Sequence, residues 1–255
     1  MILTSKTPTE PGALLDTGLA FGGVEVRRLS PGEMDQAFAL RARIFRNGQC
    51  DRDAFDAQAM HIGLFRAQNL VGYFRARIYA PETLAQSYAA QFYDLTGLTR
   101  MAAPSLEIGR VILDQPFTDP HPLRLALKYI GQIIAAAQIG LVMGCSSFAG
   151  LSSQDLRLRQ GVLAGCNRGP KSLIPQQKAP EILCFDQSDF SPNRQDKLTA
   201  LPPLLRAYLR LGGWISDHAV IDRDLGTLHV FTALEIAKIP PQKSRLLFAT
   251  MPQTT

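Results

Sequence analysis

Ser105-Leu-Glu107-Ile-Gly109-Arg110-Val-Ile-Leu113 is an apolar, β-type run that carries an acid and a base in its interior. Its density of Leu, Ile and Val predicts a strand over 105–113. In a regular strand Glu107 and Arg110, three positions apart, fall on opposite faces. A β-bulge at Gly109 is expected to turn both toward one cleft. A carboxylate beside an arginine in a low-dielectric cleft can accept a proton. The same two residues at a strand end would be a solvated ion pair, and this segment alone does not separate the two readings.

Four other segments favour the cleft. Ser30-Pro31-Gly32-Glu33 has the form of a capping box with proline at the first helical position, so a helix is expected from about 33 to 46. Its apolar stripe runs Met34, Ala37, Phe38, Ile44 and Phe45, and Arg41 falls on that stripe. A guanidinium on a core-facing stripe needs an anion. Asp53-Ala-Phe-Asp56 supplies two acids in the following loop. Leu70-Val-Gly-Tyr-Phe-Arg75-Ala-Arg77 alternates as a strand and puts Arg75 and Arg77 on one face. Each feature alone fits a solvated charge. Together they predict a buried cluster of Arg41, Asp53, Asp56, Arg75, Glu107 and Arg110.

The order and spacing of these residues resemble the acyl-homoserine lactone synthases and, more closely, the ornithine N-acyltransferases that make lyso-ornithine lipid. Both are GNAT-like acyltransferases. The shared pattern stands here as Arg41-x-x-x-Phe45, Asp53-x-x-Asp56, Val71-Gly72-x-x-Arg75 and Glu107-x-Gly109-Arg110. The lipid-forming branch is matched further by His61, by Phe92-x-Asp94-Leu95, and by Gly144-Cys-Ser146-Ser-Phe148-Ala-Gly150. The run from Leu201 to Gly212 and the stretch Asp217-His-Ala-Val-Ile-Asp222 complete the likeness, which covers about residues 24–236. The chain departs from the lactone synthases in having Asn47-Gly48-Gln49-Cys50 where they usually carry a tryptophan.

The resemblance implies an α/β GNAT-like fold: a mixed central sheet, flanked by helices, in which the strands at 105–113 and 141–147 splay apart to admit an acyl thioester. It also implies transfer of a 3-hydroxyacyl chain from acyl carrier protein to the α-amine of ornithine. Glu107 and Arg110 are then the catalytic pair. Arg41, Asp53, Asp56, Arg75, Ser146 and Phe148 are expected to bind substrate: Arg41, Arg75 and Arg110 anchor the acceptor's carboxylate or hold the acids together, and the aspartates bind ammonium groups or orient the arginines. The alternatives are the same reaction on glutamine or another amino acid, then a lactone synthase. A non-enzymatic acyl-carrier-binding protein is the rival from another class. His61 is expected to be a core or supporting residue.

Composition agrees with one enzyme domain. The 255 residues are 46% hydrophobic, enough for one substantial core. Residues 1–20 are expected to be a loose extension, 21–240 the domain, and 241–255 a poorly ordered tail. The net charge of +5 comes without a run of Lys and Arg, which excludes a nucleic-acid groove in favour of an acidic protein partner or an anionic membrane face. Cys50, Cys145, Cys166 and Cys184 form no C-x-x-C pair, so neither a metal nor any other cofactor is expected, and four free thiols fit the cytoplasm. Tyr129 to Gln154 contains no charged residue, yet Gln132, Gln138 and Gly140 divide it into a helix (123–139) and a strand (141–147) instead of a membrane span.

Other expected elements are strands at 24–29, 59–66, 70–79 and 182–185, helices at 82–92, 153–164 and 203–211, and strands near 219–222 and 228–235. The last helix sets Arg206 and Arg210 on one flank, a pattern that suits a seat on the inner face of the membrane or packing on the sheet. Finally, GNAT enzymes that use acetyl-CoA carry a glycine-rich pyrophosphate loop after the strand corresponding to 105–113. Here Asp114 to Arg124 has three prolines and no glycine, so it lacks the N–H donors of such a cradle.

Overall fold

The computed structural model describes residues 18–113, 121–185 and 200–248. The long run that suggested Glu107 and Arg110 is a central strand, β6 (Ser105–Leu113). On one side of it lie β4 (Asn69–Tyr79), β3 (Met60–Arg66), β2 (Val24–Arg28) and β1 (Leu19–Phe21). On the other lie β7 (Leu141–Ala149), β11 (Thr227–Glu235), β10 (Trp214–Asp222) and β9 (Ile182–Cys184). All nine form one sheet in the order β1-β2-β3-β4-β6-β7-β11-β10-β9, and β5 (Tyr93–Asp94) pairs separately with β8 (Gln176–Gln177).

Every neighbouring pair in the large sheet is antiparallel except β6 and β7, which run parallel. That pair joins only Ser105–Glu107 to Leu141–Met143. Both strands continue for six more residues without pairing, so the sheet splits just beyond Glu107. Gly144 sits at the split: a Cβ there would lie 2.3 Å from the carbonyl oxygen of Ile108. Glycine is required by that close backbone approach.

The helices are α1 (Met34–Phe45), α2 (His121–Ala136), α3 (Ser153–Ala164), α4 (Pro203–Arg210) and α5 (Pro241–Phe248). Alternation on β4 sends Phe74 and Ala76 into a core shared with Leu125, Tyr129 and Ile133 of α2, and leaves Arg75, Arg77 and Tyr79 on the opposite face. That second face is covered by the segment between β4 and β6, whose Leu84, Tyr93 and Leu98 pack with Met143, Trp214 and Phe231.

Several boundaries differ from those the sequence predicts. The 82–92 helix is instead two 3-10 turns, Pro81–Gln86 and Ala89–Gln91, with extended backbone at Ser87 between them. The break has a cause: the N–H groups of Tyr88 and Ala89 are taken by the Glu107 carboxylate. The expected tail at 241–255 contains α5, whose Leu247 is 2% exposed and packs against Gly131 of α2. Leu19 and Ala20, within the expected 1–20 extension, belong to β1. Strand β10 starts at Trp214, five residues before its predicted start. In α4, Leu205 and Tyr208 are buried and Leu204 and Ala207 pack on the core, so its apolar side faces the protein and not a membrane. No helix among the described residues is long and apolar enough to cross a membrane. Most of the proline-bearing loop after β6, residues 114–120, lies outside the described residues.

Candidate active site

On the face opposite α2, three guanidiniums meet three aspartates. Arg41, wholly buried, donates from Nε to Asp51 Oδ2 at 2.9 Å and from Nη1 to Asp56 Oδ1 at 2.6 Å, and its Nη2 reaches the Asp51 carbonyl. Arg75 donates from Nη1 to Asp53 (2.5 Å) and Asp56 (2.7 Å). Arg110 donates from Nε to Asp51 Oδ2 at 2.8 Å and from Nη2 toward Asp53 at 3.4 Å. Burial alone would raise the Asp51 and Asp56 carboxyls. The hydrogen bonds and charges of Arg110 and Arg41 on Asp51, and of Arg41 and Arg75 on Asp56, hold both below the ordinary carboxylate range. Arg41 and Arg110 are correspondingly raised, against the opposing effect of their burial. The network is electrically balanced, which is what permits its burial.

Arg110 joins the network through the bulge, though not by the residue expected. Two steps on β4, Tyr73 to Arg75, face three on β6, Ile112 to Gly109, so β6 carries one extra residue. The left-handed residue is Arg110 itself, at φ 53°, and Gly109 is not in that region. A Cβ on Gly109 would make only an ordinary 3.7 Å contact with Arg75 Nε. A non-glycine residue in this conformation is strained by roughly 1–3 kcal/mol, and here the ion pair to Asp51 holds it. Arg110 therefore pairs with Asp51 and not with Glu107.

Glu107 is 7% exposed. Its two oxygens accept the N–H of Tyr88 at 3.0 Å and of Ala89 at 2.8 Å. Burial pushes its carboxyl up, and the two N–H donors and Arg75 only partly oppose this. The buried Tyr79 hydroxyl lies close by. Tyr88 packs edge-on against Phe55 at 5.5 Å, and the Arg75 and Arg110 guanidinium carbons lie 5.6 and 5.3 Å from its ring centre. The backbone that orients the base and the ring that faces the arginines thus belong to one residue.

A cleft of about 750 Å³ runs from this face through the split between β6 and β7 to the α2 side. Arg75, Arg77, Tyr88, Glu107, Arg110, Cys145 and His229 line one end; Ile108, Leu123, Pro203, Leu204 and Tyr208 line the other. Burial lowers the His229 imidazole to about 4, with His218 adding to the effect. Cys145 is held well up by burial, with Glu107 adding to the effect, so it is no ready nucleophile. Among the described residues, no group of three or more His, Cys, Asp and Glu side chains could hold a metal ion.

The structure places the predicted site residues unequally. Glu107, Arg110, Arg75 and Ser146 line the cleft. Arg41, Asp53 and Asp56 do not: they lie behind its wall, and the contacts above, with the Asp53 N–H bonded to Asp56 Oδ2 at 2.9 Å, occupy the Arg41 guanidinium and all four oxygens of Asp53 and Asp56. So placed, the aspartates hold the arginines of the wall, one of the two roles expected of them. Phe148 does not line the cleft either. It is 3% exposed and packs with Leu163, Phe185 and Leu205, on the face of β7 opposite the exposed Ser147 and Ala149. His61 supports the network: its Nδ1 lies 2.6 Å from the Tyr73 hydroxyl and its Nε2 2.9 Å from the Asp56 carbonyl. Asp51, 1% exposed at its side chain and bound to Arg41, Arg46 and Arg110, was not foreseen. The one signal was a third acid two residues before Asp53.

The mixed sheet that parts between β6 and β7, with helices against it, is a GNAT-like fold. Residues 36–127 match the family model described as an acetyltransferase (GNAT) domain. The chain is similar to L-ornithine N(alpha)-acyltransferase of Brucella abortus, 28% identical over 75% of this chain and 72% of that protein. It is likewise similar to L-ornithine N(alpha)-acyltransferase of Rhodobacter capsulatus, 27% identical over 60% of this chain and 58% of that protein, less than two thirds of its length. Among solved structures, an N-acyl amino acid synthase from uncultured soil microbes superimposes with a TM-score of 0.50, covering 85% of this chain and 93% of that one at 12% identity, a likeness of fold.

Proposed function

We propose that the chain transfers a 3-hydroxyacyl group from the thioester of an acyl carrier protein to the α-amine of ornithine, giving lyso-ornithine lipid. The observation that carries this reading is a buried carboxylate, Glu107, raised by its surroundings and set where two parallel strands part. The thioester enters the split, where unpaired backbone of β6 and β7 can meet its carbonyl oxygen. The amine nitrogen bonds to the carbonyl carbon and gives its proton to Glu107, directly or through water. The tetrahedral carbon then expels the carrier's thiolate, which takes up a proton to leave as thiol. No acyl-enzyme is required.

Ornithine is supported by the names of the similar proteins. One observation favours glutamine as a second reading: Glu107 is the only carboxylate in the cleft wall among the described residues, so the second ammonium of ornithine has no acid waiting for it. A carrier protein as donor is supported by the proline-bearing loop and by the net charge of +5, which suits an acidic partner. Work at the cytoplasmic face of a membrane belongs to the same reading and rests on that charge and on an amphiphilic product, not on α4.

The test is a competition. Purified chain is given equal ornithine and glutamine with the same 3-hydroxyacyl carrier protein, and in parallel with the matching coenzyme A thioester. Acyl-ornithine formed from the carrier thioester supports the proposal. Acyl-glutamine as main product promotes the second reading, and equal use of coenzyme A removes the carrier from it.

A further inference from the structure

Resting on that reading, we propose that Arg77 binds the carboxylate of the acceptor amino acid and thereby delivers its amine to Glu107. The three arginines expected for this task are committed elsewhere: Arg41, Arg75 and Arg110 hold Asp51, Asp53 and Asp56. Arg77 also lines the cleft and has no carboxylate partner among the described residues. Its natural partner would be Glu107, the residue directly across from it in the β4–β6 register. Both Glu107 oxygens are turned to the N–H groups of Tyr88 and Ala89 instead. A guanidinium in a half-buried cleft is thus left without an anion, with its carbon 4.7 Å from the centre of the Tyr79 ring. Its planar fork matches a carboxylate bidentately.

The register then fixes the geometry. Residues directly opposite on antiparallel strands hold their Cβ atoms about 5 Å apart. In an α-amino acid the amine and the carboxylate share one carbon. A carboxylate seated on Arg77 therefore presents its amine beside Glu107, and an amine without the adjacent carboxylate has no such tether. The site is accordingly one for α-amino acids and not for simple amines.

The experiment compares ornithine with ornithine carboxamide as acceptors for the wild type, Arg77→Gln and Arg77→Lys, at a fixed carrier thioester, with melting curves to confirm folding. Wild type should favour ornithine in kcat/KM. Arg77→Gln should raise the KM for ornithine about 10- to 100-fold, the size of a lost charge-assisted contact, leave the KM for the thioester unchanged, and close the gap between the two acceptors. Arg77→Lys should keep part of that gap. An equal loss on both acceptors, a raised KM for the thioester alone, or a wild type indifferent to the carboxamide each overturns the assignment. If Arg77→Gln does not fold, the wild-type preference and Arg77→Lys still decide. A folded wild type that acylates no amino acid overturns the acyltransferase reading as well, and so is distinguishable from a failure of Arg77 alone.

Discussion

Arg110 Nε lies 2.8 Å from Asp51 Oδ2, joining the bulge of β6 to a loop 59 residues earlier. The same oxygen accepts Arg41 Nε at 2.9 Å. One side chain thus secures both the buried arginine of α1 and the strained arginine of the cleft wall.

Asp51→Ala should therefore be among the most damaging substitutions in the chain. It leaves two arginines short of their anion in a buried site, a loss of about 3–5 kcal/mol. The exposed pair between Arg52 and Asp35 provides the comparison: Asp35→Ala should change stability by under about 0.5 kcal/mol. Urea unfolding of the two variants measures the difference, and equal midpoints would remove Asp51 from its central place. Because its carboxyl is held below the ordinary range of 3.8, this stability is present above that pH and is lost as pH falls through the depressed value.

Gly144→Ala tests the split between β6 and β7. The new Cβ would stand 2.3 Å from the Ile108 carbonyl oxygen, so the backbones must move apart. The expected cost is about 1–3 kcal/mol, seen as a fall in melting temperature of roughly 2–12 °C, together with reduced turnover. Unchanged melting and turnover would mean that backbone approach at this residue does not set the split.

Leu247→Ala tests α5. Its side chain is 2% exposed, and truncating a buried leucine costs about 2–5 kcal/mol. A variant unfolding in urea at the wild-type midpoint would return 241–248 to the loose tail that the sequence suggested.

The sequence was most legible where a residue violated its local pattern. An acid and a base within an apolar strand, and an arginine on an apolar helix stripe, each needed a partner, and those needs led to Glu107, Arg110 and Arg41. It was least legible where tertiary contacts decided. Asp51 lies in a loop without periodicity, so nothing local marked it as the shared anion of α1 and β6. The 82–92 segment reads as helical until the Glu107 carboxylate takes two of its N–H groups. Leu247 gives α5 too short a stripe to recognise before it meets Gly131. For Phe148, the motif marked the strand correctly but could not say whether the ring would join the cleft or the core.

The last prediction concerns pH. Glu107 must be ionised to accept the amine's proton, and burial raises its carboxyl above the ordinary 4.5. The acidic limb of kcat/KM should therefore lie above the usual glutamate range, with activity rising as pH passes the shifted value. His229, which lines the cleft, does not account for that limb: burial lowers it to about 4, below the ordinary glutamate value. Stability moves the opposite way. A carboxyl raised by folding favours the native state most below 4.5, and that contribution is lost as pH rises through the folded value. Glu107→Gln should lower kcat by roughly 10²–10⁴-fold, erase the acidic limb, and flatten the dependence of stability on pH over the same window. Its amide oxygen can still accept one of the two N–H groups, so the variant should fold. A folded Glu107→Gln protein that keeps the wild-type limb would assign the base to another group.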